Sequence, residues 1–287
     1  MISIFKKELK TYFASMTGYI FIGILLLLAG IMCLSINLFN GPTNYELSLS
    51  MVSYIFLLIV PILTMSVVAD ERKNKTDQLL YSLPVNASGI VVGKFGALVA
   101  VFAVPVLVMC LFPFVLSLYG QVNFLSAYTG IFGFFLLGCA LLSFGLLISS
   151  LTESPVIAAV ISFFSLLFMY LLSYFASLIP AGAFSSYLCF VALAAAVSAL
   201  VYLLTNHTWF SLGLLVVACG GLTALYFVSP AVFEGLFPSF LNWLCVYDRY
   251  LSFVGGMFDV TGVVYYISII FLCLFFSVQS LEKRRWK

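Results

Sequence analysis

"ADERKNKTDQLLYSLPV", residues 69–85, interrupts a chain that is otherwise almost free of charge. Asp70, Glu71 and Asp77 alternate there with Arg72, Lys73 and Lys75, whereas all 287 residues hold only twelve basic and ten acidic side chains. Six charges at the centre of a bilayer would cost roughly 15–20 kcal/mol on the insertion scale. The stretch must therefore leave the membrane, while the long apolar runs on either side of it stay inside.

Those runs decide the class. The chain is 64% hydrophobic and 8% charged, with mean hydropathy +1.22, against about 25% charged residues in a soluble domain. Several runs reach the roughly 20 residues that cross a bilayer as a helix. None alternates polar and apolar in the manner of a membrane barrel strand. The expected fold is an all-α polytopic membrane protein with about eight transmembrane helices, near 18–39, 49–68, 95–118, 127–150, 156–179, 185–204, 210–228 and 260–281. Six spans keep the same parity if the 180–230 region does not form an inserted membrane hairpin.

The positions of the bases set the orientation, because cytoplasmic flanks are enriched in Lys and Arg. Lys6, Lys7 and Lys10 precede the first span; Arg72, Lys73, Lys75 and Lys94 lie between the second and third; Lys283, Arg284, Arg285 and Lys287 follow the last. With eight spans all of these share one side, and only Arg249 falls on the other. Both termini and the charged loop are thus expected in the cytoplasm. The apolar run after Lys10 is too long for the core of a signal peptide and reads as an uncleaved first span.

Two segments have the spacing of surface helices. In residues 2–16, Ile2, Phe5, Leu9, Tyr12 or Phe13, and Met16 share a face opposite Lys6, Lys7, Glu8 and Lys10, the pattern of an interfacial amphipathic helix. Residues 238–256 form an external amphipathic segment before the last span, with Phe240, Leu244, Tyr247, Leu251 and Val254 on one face. Its Asp248 and Arg249 are expected to pair with each other or with lipid headgroups. Gly133, Gly138, Gly145, Gly220 and Ala224 would allow close helix contacts, and Pro61, Pro105 and Pro113 are candidate kinks.

The same reading excludes several chemistries. No acid or base is expected inside a span, so a proton-coupled carrier lacks its relay; Asn37 is the main polar exception, assigned to a cap or the interface. No P-loop, H-E-x-x-H or G-x-S-x-G occurs. Seven scattered cysteines without C-x-x-C give no disulfide framework or metal site, and His207 stands alone in a loop. The chain is expected to bind no cofactor, metal or nucleic acid and to perform no catalysis.

The charged loop itself reads as a helix over 70–83, ended by Pro84, with Leu79, Leu80 and Leu83 as an apolar edge. Its balanced charge argues against a lipid-binding polybasic patch. A helix of this kind suits the docking of a soluble protein; a solvated connector is the alternative.

"ADERKNKTDQLLYSLPVNASGIVVGKF" resembles the first cytoplasmic loop of type-2 ABC exporter permeases, in particular the subfamily of gliding-motility and copper-enzyme-maturation permeases. Glu71, Arg72, Lys73, Thr76, Leu79, Leu80, Leu83, Pro84, Val85, Gly93, Lys94 and Phe95 match that pattern. Lys75 stands where glycine is common, and Asp77 where glutamate is. "LLISSLTESPVIAAVISFF" (146–164) is similar to the family's second cytoplasmic turn, and the two ends of the chain are similar to its first and last spans. The resemblance covers most of residues 2–164 and 245–287 and leaves about 180–230 as an insertion.

The resemblance implies a permease subunit that exports an unidentified substrate. A separate ATPase, present in two copies and carrying ATP and Mg, would dock on Asp70, Glu71, Arg72, Lys73, Thr76, Asp77, Leu79, Leu80 and Leu83. Thr152 and Glu153 of the second turn would join that surface. A second permease chain, identical or related, would complete the path in a prokaryotic plasma membrane, and an external accessory protein is a further possible partner. The alternatives are a membrane anchor that transmits motion to an external partner without moving cargo, and an ATPase-independent channel or carrier.

Overall fold

The computed structural model describes residues 2–39, 44–76, 86–180, 182–205, 208–228 and 233–285. They are helical throughout, with no strand among them. The chain divides into two compact units, residues 1–168 with 249–287, and residues 169–248.

In the first unit, α1 (Ile2–Ala14) is followed at Ser15 by α2 (Met16–Cys33), which runs on as a π-helical stretch, Leu34–Phe39. Then come α3 (Tyr45–Ser53), α4 (Phe56–Thr64) and the one-turn α5 (Ala69–Lys73). Beyond them lie α6 (Ala87–Met109), α7 (Phe112–Ser117), α8 (Phe124–Leu151) and α9 (Pro155–Leu178), the last of which continues into the second unit. The second unit holds α10 (Ala183–Thr205), α11 (Thr208–Val228) and α12 (Leu236–Leu244). The boundary falls within α13 (Val246–Val254), and α14 (Val260–Arg285) belongs to the first unit.

Five helical segments are long and apolar enough to cross a membrane: Met16–Phe39, Ala87–Ser117, Phe124–Leu151, Pro155–Leu178 and Val260–Arg284. Tyr45–Ser53 and Phe56–Lys73 make a sixth if they count as one span, bent by 54°. That bend falls at Tyr54 and Ile55, ahead of Pro61. The break between α6 and α7 lies just before Pro113, which sits in the first turn of α7, where its missing N–H costs nothing. Among the described residues α10 and α11 supply shorter apolar stretches, Ala183–Ala199 and Leu215–Phe227.

α8 is the axis of the first unit and packs against α3, α4, α6 and α14. Lipid tails are as apolar as leucine, so helices in a bilayer associate through close packing more than through exclusion of water. The glycines of α8 provide that approach. A Cβ at Gly133 would stand 2.6 Å from Phe253, one at Gly138 would strike the Phe102 ring, and one at Gly145 would strike Thr64. Phe102 in turn touches Phe21 and Phe56 edge-on, Phe134 at a tilt and Phe135 stacked, with centroids 5.6–6.4 Å apart. The three α8 glycines thus serve contacts within the chain. Gly220 has no such neighbour within 4 Å.

Both expected surface helices differ from their sequence pattern. α1 turns Phe5, Glu8, Leu9 and Tyr12 inward, with Phe5 against Gly96 of α6, and leaves Ile2 and Met16 exposed. The segment 238–256 is two helices, broken where Cys245 goes extended at ψ 112°. The break changes the phase: Tyr247, Tyr250 and Phe253 are buried, while Leu244 and Leu251 are exposed. Arg249 lies 5.7 Å from the ring centroid of Tyr265, a cation–π contact, and no ion pair to Asp248 occurs among the described residues.

Candidate functional site

α1, α5, the start of α6 and the ends of α8 and α14 converge at one end of the first unit, where most of its charge is gathered. At the centre is Lys94, two turns into α6 and 1% exposed. Its ammonium reaches Glu8 of α1 at 3.0 Å, Glu71 of α5 at 2.9 Å and the Val67 carbonyl at 2.6 Å. A lysine has three N–H donors, and each has an acceptor here. An unpaired ammonium in such a place would carry a penalty of several kcal/mol; two carboxylates and a carbonyl make it tolerable. Lys7, 3.8 Å from Glu71 on the exposed rim, balances the second negative charge.

α5 is held from two further directions. The Ser149 hydroxyl of α8 accepts from the Val68 and Ala69 N–H groups, both at 3.2 Å, and donates to the Met65 carbonyl at 3.2 Å. It thereby caps the start of α5 from another helix. On the other flank the buried Arg72 guanidinium donates to the Thr152 carbonyl at 3.3 Å and to the Ser280 hydroxyl of α14 at 3.4 Å. Ser280 itself donates to the Ser150 carbonyl at 2.8 Å. Arg284 pairs with Glu153, so the second turn and the last helix are tied twice. Close by, burial pushes the Tyr12 phenol well above its ordinary range, and the charges of Glu8 and Asp70 add to this.

α5, at the start of the stretch expected as a helix over 70–83, ends at Lys73. The Lys75 N–H bonds the Arg72 carbonyl at 3.1 Å and the Thr76 N–H bonds the Glu71 carbonyl at 2.9 Å, the paired bonds of a Schellman motif. Its left-handed position is Lys75, at φ 56°, the only non-glycine residue with positive φ among those described. Lys75 is also the position where the resembled pattern has glycine, so the bend survives without it. Asp77, Leu79, Leu80 and Leu83 lie outside the described residues.

The site residues read from the sequence therefore separate into two groups. Glu71, Arg72 and Thr152 face their own chain, Asp70 is half-buried, and Lys73, Thr76 and Glu153 are exposed together with Asn74 and Lys75. The sequence reading missed Glu8, Ser149 and Ser280, and used Lys94 only as a marker of topology and pattern. Lys94, within Ala87–Ser117, and Glu46, within Tyr45–Ser53, also correct the expectation that no acid or base lies inside a span, and Asn37 is buried and bonded to Ser48 rather than capping or facing the interface.

Residues 34–192, more than half of the chain, match the family model described as "ABC-2 family transporter protein". The chain belongs to the ABC-2 transporter family. It is a multi-pass membrane protein and a permease subunit of an ABC transporter, a family whose members work with an ABC ATPase. The matched region contains α5, Lys94, Ser149 and the second turn. No curated protein matches the chain significantly.

Proposed function

We propose that this chain couples ATP hydrolysis in a separate ATPase subunit to export of a substrate, with α5 as the part that receives the ATPase's motion. The observation that carries this reading is the three-way attachment of α5. Lys94 joins it to α1 and α6, Ser149 to α8, and Arg72 to the second turn and α14. A push on so short an element moves four helices together, whereas a solvated connector would yield. Its outward side, Lys73 to Thr76 with Glu153 beside it, is the surface left for the partner.

In this reading the charged end faces the cytoplasm of a prokaryotic cell, and two ATPase copies carry the ATP and Mg. A second permease chain, identical or related, completes the assembly, which is of the gliding-motility or copper-enzyme-maturation type. α10 and α11 form the inserted hairpin of an eight-span chain.

The test is a mild-detergent pull-down from native membranes with mass spectrometry. Wild type should retain a P-loop ATPase, and a Lys73→Glu/Lys75→Glu double variant should lose it while remaining monodisperse. An ATPase kept by the double variant would remove the docking surface. None with wild type would remove the coupling role.

A further inference from the structure

Beside the Ser280–Ser150 bond that ties α14 to α8, the first unit holds an open cleft of about 600 Å³. Leu147 and Leu151, a turn apart on α8, line its apolar part together with Phe276 of α14. Gln279, Ser280, Glu282 and Lys283 of α14 line its polar part. Phe276, Gln279, Ser280 and Lys283 stand at i, i+3, i+4 and i+7, so they share one face of that helix. Lys283 therefore lies roughly 10 Å nearer the helix end than Phe276. Both helices are long and apolar enough to be spans, Phe124–Leu151 and Val260–Arg284. Leu147 and Phe276 lie inside them and Lys283 at the margin, so the cleft runs from hydrocarbon depth into the headgroup layer.

The polar groups at its mouth are available. Gln279, Glu282 and Lys283 are exposed, and among the described residues no ion pair or side-chain hydrogen bond engages them. The neighbouring charges are occupied within the chain. Arg284 pairs with Glu153, and Arg72 donates to the Thr152 carbonyl at 3.3 Å and to the Ser280 hydroxyl at 3.4 Å. Ser280 is itself committed, because it donates to the Ser150 carbonyl at 2.8 Å and holds the two helices together beside the cleft. What remains for a ligand is one cation, one anion and one amide at the headgroup end of an apolar wall.

We propose that this cleft binds the headgroup and upper chains of one phosphatidylethanolamine molecule. The Lys283 ammonium and the Gln279 amide donate to its phosphate, and the Glu282 carboxylate accepts from its primary ammonium. Leu147, Leu151 and Phe276 cover the first methylenes, and the open side lets the chains run on into the bilayer. Charge and hydrogen bonding select among lipids. One base beside one acid matches a zwitterion, whereas phosphatidylglycerol would set its net negative charge against Glu282. Phosphatidylcholine balances the charges, but its quaternary ammonium has no N–H to donate. A soluble protein would meet only the polar rim, because Leu147 and Phe276 lie at hydrocarbon depth. The proposal rests on the two spans and not on the coupling role of α5.

The experiment is native mass spectrometry of the full-length chain in mild detergent, titrated with dioleoyl phosphatidylethanolamine, phosphatidylcholine or phosphatidylglycerol. Wild type should bind one molecule of the ethanolamine lipid about tenfold more tightly than the choline lipid, the ratio set by one charge-assisted hydrogen bond. Glu282→Gln should bring these two lipids to equal affinity, and Lys283→Gln should weaken both about tenfold. Glu282 and Lys283 are exposed and make no tie within the described chain, so neither change disturbs the fold. The difference between wild type and Glu282→Gln isolates this cleft from lipids bound elsewhere on the spans. Four results would overturn the proposal: equal binding of the ethanolamine and choline lipids by wild type, a preference for phosphatidylglycerol, discrimination unchanged in Glu282→Gln, or a dimer of the chain that forms only as the lipid leaves. The last would place a second copy in the cleft instead.

Discussion

At one end of the first unit Lys94 gives all three of its N–H donors to Glu8, Glu71 and Val67. At the other end Glu46 is also buried, yet no ion pair to it occurs among the described residues, and the buried Tyr45 and Tyr250 phenols have no hydrogen-bond partner among them. Both ends place charge where the dielectric is low and an error is costly. The saturated end behaves as a joint, made to transmit force. The other end keeps polar groups in its interior that no partner among the described residues answers.

The largest expected effect follows from removing one partner at each end. Lys94→Met should leave Glu8 without a countercharge and Glu71 with only Lys7 on the exposed rim, and cost about 3–5 kcal/mol, as broken buried ion pairs do. The measurement is the Tm of the detergent-solubilised chain, together with the yield of monodisperse protein. Glu46→Gln at neutral pH should leave Tm unchanged or raised, because no ion pair among the described residues is lost. Equal losses at the two ends would break the comparison.

Hydroxyls give a smaller version of the same contrast. Ser149→Ala should cost about 1–3 kcal/mol, since it strips the buried Val68 and Ala69 N–H groups of their acceptor. Tyr250→Phe should cost less than about 1 kcal/mol, because its hydroxyl has no bond to lose among the described residues. Tm shifts for the two variants, read side by side, test this. A Tyr250→Phe loss as large as that of Ser149→Ala would show that the far end is as saturated as the near one.

The bundle was legible where long-range packing did not decide the outcome. Apolar runs gave the membrane class, the charge interruption gave α5, and Gly133, Gly138 and Gly145 were recognisable as close-contact positions before their partners were known. The joint was not legible, because its partners are distant in sequence: Glu8 lies 86 residues from Lys94, and Ser149 lies 80 from Ala69. A lysine ahead of an apolar run reads as a topological marker, and a serine near the end of a span as ordinary membrane-helix polarity. Glu46 escaped for a local reason. The expected span began at residue 49, whereas α3 begins at Tyr45, so its first turn was taken for loop. In the segment after residue 236, the extended Cys245 reset a helical phase that periodicity alone had carried straight through.

Lys75 carries the smallest effect, and it isolates backbone from charge at the saturated end. A left-handed conformation costs an L-residue roughly 1–2 kcal/mol, and glycine avoids most of that. Glycine also has more conformational freedom to lose on folding, by roughly 0.5–1 kcal/mol. Lys75→Gly should therefore stabilise the chain by about 0.5–1 kcal/mol, a small rise in Tm. The side chain is exposed and makes none of the ties that hold α5, so Lys75→Ala, which keeps the strain and removes the charge, should leave Tm unchanged. A rise in Lys75→Ala equal to that in Lys75→Gly would mean that relief of charge crowding, not of backbone strain, limits this end. The Schellman turn would then be a consequence of the ties made by Glu71 and Arg72 rather than a contributor to the joint.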